Sequence, residues 1–225
     1  MKKLLLALML IIVWHIPAMA GDSGVYAGIK IIDSIQSTGK ISTSGVSGHF
    51  DCGSKTQNTI GGGIFLGYDF YKQGGTPIRA EVEYAMRSTV DNEYDGKTAL
   101  SRGMTLKSQY NLHTIFANLY YDFHNDTDFT PYVGGGLGLA IINTKIEASA
   151  NNRGSDSYNE TLNTFAYNLG LGCSYDFTDV ITADLAYRFV GTSYHETDKS
   201  IGGQKVSLGS SNYANEISLG LRFNF

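Results

Sequence analysis

The stretch "NEISLGLRFNF", Asn215 to Phe225, alternates without a break: Ile217, Leu219, Leu221, Phe223 and Phe225 fall on one side, and Glu216, Ser218, Gly220, Arg222 and Asn224 on the other. A period of two marks a strand whose two faces meet unlike surroundings. The run Leu162 to Phe177 repeats it, with Phe165, Tyr167, Leu169, Leu171, Cys173, Tyr175 and Phe177 opposed to Ala166, Asn168, Gly170, Gly172, Ser174 and Asp176. So does Pro77 to Arg87, which sets Ile78, Ala80, Val82, Tyr84 and Met86 against Arg79, Glu81, Glu83, Ala85 and Arg87. Eight such runs can be read; the other five are Ser23 to Ile32, Thr59 to Tyr71, Ser108 to Phe123, Phe129 to Ile142 and Val180 to Val190.

The connections alternate in length. "KQGG", "HNDTD" and a bare Thr178-Asp179 are short, whereas Asp33 to Asn58, Ser88 to Lys107, Asn143 to Thr161 and Gly191 to Asn212 are long. Short turns at one end and long loops at the other describe an up-and-down meander with an even number of strands. Alternation alone does not separate a soluble sandwich, whose apolar face is the core, from a membrane barrel, whose apolar face meets lipid. Runs of ten or more residues, long enough to cross ~30 Å when tilted, and aromatics gathered at run ends favour the barrel. The expected fold is therefore an all-β, eight-stranded antiparallel transmembrane barrel with short periplasmic turns and four long extracellular loops.

The first twenty residues, "MKKLLLALMLIIVWHIPAMA", combine two lysines, an apolar run and a small-x-small ending. They read as a cleaved secretory signal peptide, leaving residues 21–225 as one domain. Setting Lys2 and Lys3 aside leaves 15 basic residues against 21 acidic, which argues against a nucleic-acid partner. Cys52 and Cys173 are expected to lie toward opposite ends of the molecule and to remain free thiols despite an oxidising compartment.

"ANLYYDF" from Ala117, "TPYVGGGLGLA" from Thr130, "ADLAYRF" from Ala183 and the terminal "NEISLGLRFNF" resemble the outer-membrane β-barrel family that includes opacity-type surface proteins and the membrane domain of OmpA. The resemblance covers nearly the whole chain after residue 20 and lies in the strands rather than the loops. It implies residence in the outer membrane of a Gram-negative bacterium, with outer-membrane lipid around the barrel. It also implies that Phe225, a terminal phenylalanine on a strand, is read by the barrel-assembly machinery during insertion.

On this reading the inward residues include five cations, Lys30, Arg79, Arg87, Arg188 and Arg222, and seven acids, Asp69, Glu81, Glu83, Asp122, Asp176, Asp184 and Glu216. They describe either an ion pathway or a closed network of paired charges, and eight strands leave an interior only wide enough for side chains to fill. Near-balanced signs favour pairing. Gly134, Gly136, Gly138, Gly170 and Gly172 leave room for long arginines and for Phe65 or Tyr132 to reach across.

Catalytic signals are weak. Ser108 and His113 are the one pair suggesting a nucleophile and base, without a motif such as G-x-S-x-G. The runs "GGG" at Gly61 and Gly134 sit inside strands with no following helix, so no metal, nucleotide or other cofactor is expected. Function is expected on the loops, through Tyr94, Leu100, Met104, Tyr158, Tyr194 and Ile201, in adhesion to host surface or matrix proteins or in other envelope interactions. A structural barrel or narrow pore without a dedicated ligand is the alternative, and a lipid-modifying enzyme a third reading. Alternation continuing through "NTKIEAS" and "VSLGSSNY" suggests strands that project beyond the membrane, with edges open to strand addition.

The tripeptide "YDF" occurs at Tyr68-Asp69-Phe70, Tyr121-Asp122-Phe123 and Tyr175-Asp176-Phe177, always where a run descends to a short turn, and "FNF" ends the chain at Phe223 and Phe225. Its rings are expected to form a periplasmic aromatic girdle, with each Asp inward or capping the turn.

Overall fold

The computed structural model describes residues 23–38, 42–44, 56–95, 104–150, 155–193, 195–201, 204–210 and 212–225. The segment read as a signal peptide, together with Cys52, Leu100 and Tyr194, lies outside them. Among the described residues there are twelve strands: β1 (Val25–Thr38), β2 (Ser42–Ser44), β3 (Thr56–Asp69), β4 (Ile78–Arg87), β5 (Val90–Asp95), β6 (Met104–Asp122), β7 (Phe129–Ala150), β8 (Ser155–Asp176), β9 (Ile181–Thr192), β10 (His195–Ile201), β11 (Gln204–Ser210) and β12 (Asn212–Asn224).

Eight of these close a barrel. Neighbours follow the order β4-β3-β1-β12-β9-β8-β7-β6, and the pairing of β4 with β6 completes the ring. Every ladder is antiparallel. Closure removes the unpaired strand edges that lipid cannot satisfy. The seam between first and last strands runs from Tyr26 opposite Asn224 to Thr38 opposite Asn212, and at its base the Ser23 amide donates to the Phe225 carbonyl at 3.1 Å.

The alternation read in the sequence is inside against outside. Ile31, Leu219 and Leu185 stand side by side on β1, β12 and β9 and are 55–65% exposed, while their neighbours along the strands point into the barrel. Below this apolar belt each "YDF" places its two rings edge to face, at 4.8 Å for Tyr68 and Phe70, 5.1 Å for Tyr121 and Phe123, and 5.0 Å for Tyr175 and Phe177. Such pairs contribute about 0.5–1.5 kcal/mol each beyond area burial. Above the belt a second aromatic group occurs, with Phe189 6.4 Å from Tyr167 and 6.2 Å from Tyr213. From Phe223 to Tyr213 the strand advances ten residues. At ~3.3 Å per residue and a ~40° tilt that is ~25 Å, the height of an outer-membrane apolar band.

The strands run further outward than the eight runs, as the alternation continuing through "NTKIEAS" indicates for β7. Runs expected to begin at Ser108, end at Ile142 and begin at Leu162 reach Met104, Ala150 and Ser155, and the first run continues from Ile32 to Thr38. Outside the membrane both faces of a strand meet water, so the hydrophobic signal fades while the backbone ladder continues. From Tyr167 to Ser155 is twelve more residues, a rise of ~30 Å beyond the outer aromatic group at the same tilt.

Two of the loops join each other. β10 and β11 form a hairpin between β9 and β12, and β11 also pairs with β2, which lies between β1 and β3, giving a three-stranded sheet β10-β11-β2. "VSLGSSNY" is thus part of this separate sheet and the start of β12, not one continuous barrel strand. At the other end, the turn expected from "KQGG" is one helical turn, Tyr71–Gly74, closed by Gly75 at φ 65°, a conformation glycine adopts without steric cost.

Candidate functional site

Two places can carry function: the barrel interior and the extracellular end. The interior is built from alternate residues of all eight strands, and the ladders set their heights. On β12 and β9, Arg222 lies opposite Thr182, Gly220 opposite Asp184, Glu216 opposite Arg188 and Ala214 opposite Val190, from the periplasmic end outward.

At mid-height the charges form one chain. Glu216 accepts hydrogen bonds from Arg87 Nε and Nη2, both at 2.9 Å, from Arg188 Nε at 2.7 Å and from Ser34 Oγ at 2.9 Å. Arg188 Nη1 then donates to both oxygens of Glu83, at 2.8 and 2.9 Å, and Lys30 Nζ to Glu83 Oε2 at 2.7 Å. Lys30 also lies 3.8 Å from Glu81. Glu83 and Glu216 are completely buried. Charges out of water are tolerated only when paired and hydrogen-bonded, and here alternate signs pair with one another across four strands, β4, β1, β9 and β12.

Closer to the periplasm, Arg79 pairs with Asp122 at 2.6 Å and its guanidinium lies 4.9 Å from the ring centres of both Tyr120 and Tyr132. Tyr132 donates to Asp184 at 2.5 Å, and Tyr26 and Tyr120 each reach Glu81 at 3.3 Å. Tyr132 packs against the bare backbone of Gly172, where a Cβ would collide with its ring, as Tyr26 packs against Gly67. Arg222 takes part in none of these ion pairs; it lies 5.2 Å from the Tyr26 ring centre, and its Nε has no hydrogen-bond partner.

Against the ion chain and continuing outward from it sits an apolar cluster, Leu112, Phe116, Ala140, Ala166, Val190 and Ala214, with Ile142 against it; Phe116 lies opposite Glu83, and its ring is 5.7 Å from the Arg188 guanidinium. Sequence reasoning missed this cluster and the inward Tyr26 and Tyr120, because inward and outward aromatics look alike until the register is known. Between the charged levels the structure leaves a cavity of about 30 Å³, room for about one water.

The expected site residues are distributed as follows. Lys30, Glu81, Glu83, Arg87, Arg188 and Glu216 meet in the mid-height chain, Arg79 and Asp122 pair below it, and Asp184 meets Tyr132. Asp69 and Asp176 do not join this network: Asp69 accepts the Tyr71 amide at 2.9 Å, and Asp176 accepts Thr182 Oγ1 at 2.5 Å at the barrel's periplasmic mouth. Tyr94, Met104, Tyr158 and Ile201 fall on β5, β6, β8 and β10. Ser108 and His113 stand five positions apart on β6, and His113 Nδ1 is 2.8 Å from the Tyr84 hydroxyl. Among the described residues no group of three or more His, Cys, Asp or Glu side chains is placed to hold a metal ion. Cys173 is a free thiol.

A closed eight-stranded barrel with an apolar outside, an aromatic group at each rim and a charged inside also carries the family signature. The model of the outer membrane protein beta-barrel domain matches residues 4–225. The chain belongs to that family. It is a protein of the Gram-negative outer membrane. Outer membrane protein PagN of Salmonella typhimurium is 31% identical over 220 residues, covering 92% of this chain and 85% of PagN. A Rickettsia conorii protein named as a candidate adhesin, RC1281, is 32% identical over 127 residues, 53% of this chain and 51% of its own length. The match to this barrel therefore spans about half of that relative. Neisserial surface protein A shares the fold at 20% identity and a TM-score of 0.50, over 90% of this chain and 98% of its own.

The arrangement inside the barrel sets an expected outcome. A permeating ion would have to break the Arg87–Glu216–Arg188–Glu83–Lys30 chain and pass the apolar cluster packed against it. The refolded protein in planar bilayers is therefore expected to show no steady, large, reproducible conductance, and such a conductance would refute a closed interior.

Proposed function

We propose that this is a non-enzymatic surface protein whose extracellular end binds an external partner, a host surface or matrix protein. The observation that carries this reading is the contrast between the two ends of one scaffold. The interior is filled with side chains whose charges are mostly paired, while β6, β7 and β8 continue well beyond the apolar belt and two loops knit into the sheet β10-β11-β2. A barrel that served only to span the membrane would need neither the extensions nor a second sheet.

The local kinship with a rickettsial protein named as a candidate adhesin supports the reading. The mode of contact follows from the sheet: among the described residues its outer strands are β10 and β2, and an extended peptide pairs with such an edge through main-chain hydrogen bonds.

The test replaces the segments between β1 and β3, β4 and β6, β7 and β8, and β9 and β12 by short turns and compares whole-cell binding to host cells and immobilised matrix proteins. Loss of binding is expected while the barrel still shows heat-modifiable gel migration. Unchanged binding by a folded, loop-shortened barrel would leave the structural-barrel reading in its place.

A further inference from the structure

The outward face of β6, β7 and β8 changes character in step as the three strands leave the membrane. Ile115, Leu139 and Phe165 lie opposite one another and are 41%, 52% and 48% exposed, a fully apolar row of the belt. Two residues further out His113, Ile141 and Asn163 align, and two further still Asn111, Asn143 and Thr161. Gln109, Lys145 and Asn159 follow in register. Over four residues of each strand, ~10 Å along the barrel axis at a ~40° tilt, a lipid-facing wall gives way to amide and hydroxyl groups.

These side chains are joined to one another. Asn143 Nδ2 donates to Asn111 Oδ1 at 3.1 Å, and Thr161 Oγ1 donates to Asn143 Oδ1 at 2.8 Å. Among the described residues this chain leaves the Asn111 amino group, one amide proton of Asn143 and the lone pairs of Thr161 for a partner outside. His113 Nδ1 meets the Tyr84 hydroxyl at 2.8 Å, and with that hydroxyl donating, Nε2 carries the imidazole proton as a further donor. Lys145 is exposed and brings a positive charge, and no acid stands in these rows. Across the barrel the residue that interrupts the outward apolar face is an acid, the exposed Asp33 between Ile31 and Ile35 on β1.

We propose that the β6-β7-β8 side seats the headgroup of an outer-leaflet glycolipid, with its acyl chains on Ile115, Leu139 and Phe165 and its sugars and phosphates on the Asn111-Asn143-Thr161 row and Lys145. Position selects the occupant: the patch rises straight out of the lipid-facing wall, where the headgroup of a lipid packed on that wall lies. The chemistry suits it, because groups that both donate and accept match sugar hydroxyls, and a cation without acids beside it attracts an anionic headgroup. The strands that project furthest thus stand with one face toward the membrane's own surface.

The test titrates the refolded full barrel in non-ionic detergent with lipopolysaccharide truncated to its inner core. Saturable NMR shifts of the side-chain amides of Asn111 and Asn143 are expected, with no shift of Asn58, an exposed amide across the barrel on β3. The triple variant Asn111→Leu, Asn143→Leu, Thr161→Val, checked for folding by heat-modifiable migration and followed through the backbone amides of Leu139 and Ile141, is expected to bind at least tenfold more weakly. Thr161→Val alone, a change of like shape at an exposed position, is expected to weaken binding about threefold, and Asn58→Leu to leave it unchanged. Core oligosaccharide freed of its acyl chains is expected to cause no saturable shift over the same concentrations. Absence of shifts with the glycolipid, equal shifts at Asn58, equal affinity for the freed oligosaccharide, or undiminished binding by either folded patch variant would each overturn the proposal.

Discussion

Replacing Glu216 with alanine is expected to destabilise the barrel by about 3–5 kcal/mol, the scale of breaking a buried ion pair from one side. Glu216 accepts two hydrogen bonds from Arg87, one from Arg188 and one from Ser34. Its removal leaves Arg87 facing only Thr114 Oγ1 among its hydrogen-bond partners and leaves Arg188 held by Glu83 alone. Two guanidinium groups then lie side by side with one carboxylate fewer between them. Urea unfolding of the refolded protein in lipid, followed by far-UV circular dichroism and heat-modifiable migration, measures the loss. Glu216→Gln keeps the shape and some of the hydrogen bonds, so it is expected to fall between wild type and alanine. A loss below about 1 kcal/mol for the alanine variant would mean that water enters and replaces the carboxylate, contrary to a tightly filled interior.

The second large effect lies on the other face. Leu219 occupies the middle of β12, midway between Phe225 and Tyr213, and is 60% exposed between Ile31 and Leu185. In a water-soluble protein, arginine at so exposed a position would change stability by at most a few tenths of a kcal/mol. In the centre of an outer-membrane barrel the same substitution costs about 2–4 kcal/mol. Leu219→Arg is therefore expected to destabilise the protein refolded in bilayers by that amount, and much less in detergent micelles, where the side chain reaches water. An effect of equal size in the two media would show that the cost comes from lost packing and not from lipid.

The two substitutions, on opposite faces of one strand, also show what the sequence made legible. The alternation around Glu216 and Leu219 marks one face as polar and the other as apolar, and the eight-run meander follows from its repetition. The partners of Glu216 are a different matter. Arg87 lies 129 residues away on a strand that is not a neighbour of β12, so only the closed ring brings the two together. Likewise Phe116 sits in an apolar layer inside the barrel, a placement fixed by register, not by local pattern. The outer ends were legible in part: alternation through "NTKIEAS" marks β7 as projecting beyond Ile142, and the strand does reach Ala150. The pairing of β2 with β11 joins segments some 160 residues apart, for which neither segment alone carries a signal.

That last pairing has an immunological consequence. Ser42–Ser44 and the Gln204–Ser210 strand form one surface, so a binding molecule raised against the folded protein is expected to see a discontinuous epitope drawn from both. Peptides copied from either segment would be poor substitutes for it, and a change of length in one loop would alter recognition of the other.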